Sequence, residues 1–130
     1  MTMKYGFGKA VSMDFERAID VVSEALKTEG FGVLTDIDVQ ATLKEKLGED
    51  MPPYRILGAC NPPLAHQLLM VEPSVGLLLP CNVVVRQEDN GRVYVEFMDP
   101  NAVLNLVDNP AVHALAKEVR ERLDRVLAAI

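Results

Sequence analysis

Asp89-Asn90-Gly91 separates two alternating apolar-polar runs, Gly76 to Glu88 and Arg92 to Met98, and its turn chemistry decides which side chains of both runs share a face. Strand side chains alternate, so a slip of one residue sends every one of them to the wrong side. A two-residue Asn90-Gly91 turn sets Arg86 opposite Val95 and Val85 opposite Glu96, mixing charge with apolar surface. A three-residue loop with Gly91 left-handed and a local bulge instead sets Val85 opposite Val95, Val83 opposite Phe97 and Glu88 opposite Arg92. The longer loop is the consistent choice. It places Leu79, Cys81, Val83 and Val85 on one core face with Val93, Val95 and Phe97, and turns Arg86, Tyr94 and Glu96 away.

The rest of the chain is built around this hairpin. Met3 to Val11, Phe31 to Asp38 and Tyr54 to Cys60 read as three further strands. Ser12 is the expected cap of a helix that repeats Phe15, Ala18, Ile19, Val22, Ala25 and Leu26 at intervals of three and four, and Gly30 stops it. Asp38 caps a short helix with Val39, Leu43 and Leu47 as its expected buried row and Gly48 as its stop. Asn61-Pro62-Pro63 opens another to Met70, with Leu64, Ala65, Leu68 and Leu69 inward and His66 and Gln67 outward. Asp99-Pro100 starts a short turn. Asn109-Pro110 opens the clearest helix, whose stripe runs Val112, Leu115, Ala116, Val119, Leu123, Val126, Leu127 and Ile130, with expected surface pairs Glu118–Arg122 and Glu121–Arg125. These elements predict an α+β fold: a mainly antiparallel five-stranded sheet with long helices packed on one face, in one domain over residues 1–130.

Composition limits the function. The chain has 130 residues, close to the commonest domain size of ~100–150, and is 49% hydrophobic, enough to bury a core. Thirteen basic and 19 acidic residues leave a net charge of −6, which supplies no electropositive footprint for nucleic acid or an anionic membrane. The segment Met1 to Gly8 lacks an apolar leader core, and no stretch approaches the ~20 apolar residues that span a bilayer, so a cytoplasmic protein is expected. No complete catalytic motif is present. Gly6-Phe7-Gly8 lacks the context of a phosphate loop, and Asp36, Asp38 and Asp99 read as turn or cap residues.

The two cysteines, Cys60 and Cys81, fit neither a C-x-x-C pair nor a zinc knuckle. His66 and His113 are the other soft ligands, without ligand-pair spacing, and neither a metal nor a cofactor is predicted. Cys60 precedes a helix start, where free N–H groups and the dipole favour a thiolate. A small buried hydrophobe at a strand end is the favoured alternative. Cys81 follows Pro80 and points inward. If their strands are neighbours, the pairs Cys60-Asn61 and Cys81-Asn82 converge on a small pocket, with Asn61 also readable as an ordinary helix cap.

Ile56-Leu57-Gly58-Ala59-Cys60-Asn61-Pro62-Pro63-Leu64-Ala65 and Gly76-Leu77-Leu78-Leu79-Pro80-Cys81-Asn82-Val83-Val84-Val85 together resemble the domain-of-unknown-function family 302. Thr35 to Thr42 and Asp99-Pro100 support the resemblance, which extends over nearly the whole chain. It implies a single copy of a TATA-binding-protein-like fold with added short helices, usually as a homodimer, and no established reaction. Three functions follow as expectations. The first is a homodimeric domain that binds a small ligand or a partner, with Cys60, Asn61, Cys81 and Asn82 as candidate ligand-binding residues. The others are a thiol-dependent redox enzyme or sulfur carrier using Cys60, and a structural subunit without a site.

Overall fold

In the computed structural model, which describes residues 3–130, the chain begins with β1 (Gly6–Val11), α1 (Phe15–Thr28), β2 (Gly32–Asp38) and α2 (Val39–Leu47). It continues through β3 (Tyr54–Cys60), α3 (Pro62–Val71), a 3₁₀ segment at Pro73–Leu78, β4 (Cys81–Gln87) and β5 (Val93–Met98). α4 (Pro100–Val103), a short 3₁₀ turn at Leu104–Leu106 and α5 (Pro110–Ala128) complete it. Met1 and Thr2, the start of the N-terminal stretch read above, lie outside the described residues. The five strands form one sheet in the order β1-β5-β4-β3-β2, each pair antiparallel.

The central hairpin has the three-residue register. Val83 faces Phe97 and Val85 faces Val95, Glu88 donates its N–H to Arg92 O at 2.8 Å, and Gly91 sits at φ 86°. That positive φ is why glycine is needed there. Cys81, Val83, Val85, Val93, Val95 and Phe97 are all buried, and they meet the stripe of α1 from Phe15 to Leu26 and Val119, Leu123 and Val126 of α5. The opposite sheet face carries Asn82, Val84, Arg86, Tyr94, Glu96 and Met98, none of them buried.

Local signals set most element ends. Gly30, at φ 83°, closes α1 with Phe31 N–H bonded to Leu26 O and Gly30 N–H to Lys27 O, which satisfies carbonyls the helix would leave free. Asp38 accepts from Ala41 N at 2.9 Å and Gly48 ends α2 in the left-handed region.

Four expectations need correction. Asp14, not Ser12, caps α1: its carboxylate accepts from Arg17 N at 2.8 Å and its charge suits the positive helix end. α2 buries nothing, and Leu47 is 67% exposed; following the edge strand β2, it is held by its caps and by Gln40 bonded to Met51 O rather than by a core row. The strand expected from Gly76 begins only at Cys81, because Pro80 has no N–H to continue the ladder, and Pro73–Leu78 coils as 3₁₀ helix instead. Arg125 pairs with Glu29 at 2.9 Å, not with Glu121, whereas Arg122 and Glu118 meet as expected at 3.3 Å.

Candidate functional site

Both cysteines lie at one end of the sheet. Cys60 closes β3, Cys81 opens β4, and the register pairs Ala59 with Cys81, so the two strands are neighbours exactly where the motifs fall. Asn61 follows Cys60 and caps α3, accepting from Leu64 N at 3.3 Å. These strand ends, the first turns of α3 and the segment before β4 enclose a cavity of about 330 Å³ lined by Cys60, Asn61 and Cys81. Its floor is core: Phe31, Ala59, Leu64, Leu68 and Val119 are buried. Its mouth is solvent-exposed at Leu34, Leu69, Gly76 and Pro80.

Two irregularities shape the opening. Val33 faces Ala59 and Thr35 faces Gly58, so Leu34 is an extra residue in β2, a bulge of the kind that re-aims a side chain beside a site. Leu34 consequently lines the mouth while 67% exposed. Gly58 is required by close approach: a Cβ there would overlap Thr35 Oγ1 and stand 2.9 Å from Pro80 Cγ. The cavity also explains why the expected inward row of α3 is only half realised. Leu64 and Leu68 are buried in its floor, whereas Ala65 is half-buried and Leu69, at its open rim, is 41% exposed.

The site's polar groups are largely engaged. Asn61 is 6% exposed, and its Nδ2 donates to Glu29 O at 3.2 Å, which also accepts from Arg122 Nη1 at 3.0 Å. Thus the C-terminal end of α1, the cap of α3 and α5 meet at one carbonyl. A hydrogen bond from Arg125 holds the Glu29 carboxyl below its usual range. Burial pushes the Cys81 thiol up to about 11, and the proximity of Cys60 adds to it, so Cys81 is a neutral thiol at physiological pH.

The helix start beside Cys60 does not offer the amides expected of it. Pro62 and Pro63 carry no N–H, and Leu64 N–H is taken by Asn61. The groups that would hydrogen-bond an anionic sulfur are therefore missing from the first three helical positions.

Three of the four candidate residues meet at this cavity, and Asn82 does not. Strand alternation puts Asn82 on the opposite face, exposed, where it borders a separate groove of about 760 Å³ with Tyr54, Arg86 and Glu96. Arg86 and Glu96 already pair there at 2.6 Å, and among the residues lining that groove only Gly6 and Phe97 are buried. The histidines are elsewhere. His66 borders a groove between α3 and α5, and His113 Nε2 donates to Val107 O at 2.6 Å. The carboxylates have structural partners: Asp38 caps α2, Asp99 caps α4 and meets Arg120 at 2.7 Å, and Asp36 pairs with Arg55. Phe31, Leu34 and Val119 are cavity walls that no motif signals, since a void is a relation between elements and not a pattern in one of them.

An open antiparallel sheet backed by helices on one face, with a mainly apolar cavity at a strand-to-helix junction, places the chain in the α+β class. The family model described as a domain of unknown function, DUF302, matches residues 7–130, and the chain belongs to that family. It is similar to the crystal structure of the uncharacterized conserved protein DUF302 from Bacillus stearothermophilus, with 34% identity and a TM-score of 0.89 over 96% of this chain and 97% of that one. No curated protein matches the chain. Among the described residues no helix is long and apolar enough to cross a membrane.

Proposed function

We propose that the chain is a small-ligand-binding domain whose site is the cavity bordered by Cys60, Asn61 and Cys81. The observation that carries this reading is the cavity itself: about 330 Å³ with a buried floor and an exposed mouth. Protein interiors are close-packed with few voids larger than a water, and small-molecule sites begin at about 300 Å³. Thiol chemistry at Cys60 is less well supported, because the neighbouring helix start has no spare amides and Cys81 is held protonated.

Binding is tested with prodan, an uncharged fluorophore, added to freshly purified protein. Saturable blue-shifted emission is expected, and Ala65→Phe, which fills the cavity from α3, is expected to remove it while leaving cooperative unfolding intact. Non-saturable emission, or equal binding by a folded Ala65→Phe variant, would contradict the assignment.

The domain is further proposed to act as a homodimer. The open sheet face supports this, because it presents Val84, Tyr94 and Met98 around the Arg86–Glu96 pair. Sedimentation equilibrium is expected to give a dimer that Val84→Glu weakens; a monomer at every accessible concentration would remove this part of the reading.

A further inference from the structure

Resting on the cavity as the binding site, we infer that its ligand is an uncharged, apolar molecule of about a dozen heavy atoms, recognised by shape and burial without an ion pair. The size follows from comparison: an engineered apolar cavity of ~150 Å³ holds benzene, and this one, at about 330 Å³, is roughly twice as large.

The charge follows from the lining. Among the described residues no Asp, Glu, Lys, Arg or His borders the cavity. A ligand charge would lose hydration there without gaining a counter-charge, which is strongly unfavourable in an apolar site. A charged end at the open mouth would keep its hydration but meet no counter-charge, because Leu34, Leu69 and Pro80 form the rim, whereas an apolar body would cover these exposed side chains.

The polar atoms deeper in the site point the same way. Asn61 Oδ1 is occupied by Leu64 N–H and its Nδ2 by Glu29 O, and among the described residues no buried side-chain nitrogen or oxygen lacks a partner. The neutral Cys81 thiol on the floor is a weak donor only. The exposed leucines at the rim are then the surface a bound apolar body covers, completing a wall that the free protein leaves open.

The test compares three ligands that share one chain and differ in charge: 1-decanol, decanoate and decylammonium, each competed against prodan at pH 7.5 and below its micellar concentration. Decanol is expected to displace prodan at least tenfold more tightly than either ion, and Leu34→Lys at the mouth to narrow that gap for decanoate alone. Comparable or tighter binding of decanoate or decylammonium would overturn the ligand class while leaving the binding site in place. Displacement by none of the three, with prodan still bound to the unsubstituted protein and competed off there by 2-naphthol, which has as many heavy atoms as 1-decanol, would support the neutral class and the size with a ring in place of an extended chain. Failure of prodan and decanol alike would overturn the site and the ligand class together.

Discussion

Cys60-Asn61 and Cys81-Asn82 are the same dipeptide beside proline, yet the fold uses them in opposite ways. The first pair ends a strand and starts a helix, so Asn61 becomes a buried cap tied to Glu29 O, and Cys60 stays half-buried at the cavity wall. The second pair starts a strand, so alternation drives Cys81 into the core and Asn82 out to solvent on the far face. Position relative to the strand end, not the identity of the dipeptide, decides which atoms reach the site.

The sharpest contrast is between the two asparagines. Asn61→Ala removes a helix cap and a buried link to the α1 terminus, and is expected to lower stability by about 2 kcal/mol in urea unfolding, with the loss concentrated in α3 by hydrogen exchange. A change under half that size would mean that Arg122, the other donor to Glu29 O, holds the junction alone.

The cysteines come next. Cys81→Ser places a hydroxyl in a buried apolar setting and is expected to cost about 1–2 kcal/mol, whereas Cys60→Ser is expected to stay within ~0.5 kcal/mol. Equal losses would erase the distinction between a core thiol and a wall thiol.

A pH measurement tests the burial of Cys81 on its own. Cys81 stays protonated in the folded chain up to about 11, while in the unfolded chain it ionises near its ordinary 9.0. Between those values the unfolded state binds fewer protons, so folding stability falls as pH rises through that window and is unaffected by this group below it. Cys81→Ala is expected to flatten that alkaline decline, and an identical slope in the variant would contradict the burial of the thiol.

The smallest effect belongs to Asn82→Ala. An exposed strand position with no partner in the cavity predicts a change within ~0.5 kcal/mol and unaltered prodan binding. Loss of binding in that variant would place the site on the open face.

How much of this was legible beforehand depended on whether the controlling physics is local. The hairpin register followed from Gly91 and from the cost of opposing Arg86 to Val95, both contained in a dozen residues. The caps at Asp38 and Asn61 and the glycine stops at Gly30 and Gly48 were equally local. Ser12 and Asp14 compete two residues apart, and the choice turns on which side chain reaches a free amide of the first turn, Arg17 N. α2 carried an apolar row that periodicity assigns to a core, but an edge strand offers no second layer to receive Leu47.

The site was half legible for the same reason. Neighbouring β3 and β4 made the cysteine segments converge, and the strand period alone separates Cys81 from Asn82 once the register is known. The missing amides at α3 were readable too, since Pro62 and Pro63 occupy the positions that would supply them. The void was not. It depends on a bulge at Leu34, on Pro73–Leu78 coiling away from the sheet, and on Val119 arriving from α5, three elements far apart in the chain.

Amide chemical shifts of isotopically labelled protein during titration with 1-decanol test the central claim most directly. Perturbations are expected to gather on Cys60, Asn61, Ala65, Leu68, Cys81 and Val119, leaving Asn82, Val84 and Glu96 in place. Shifts centred on the open sheet face, or none at saturating decanol, would contradict it.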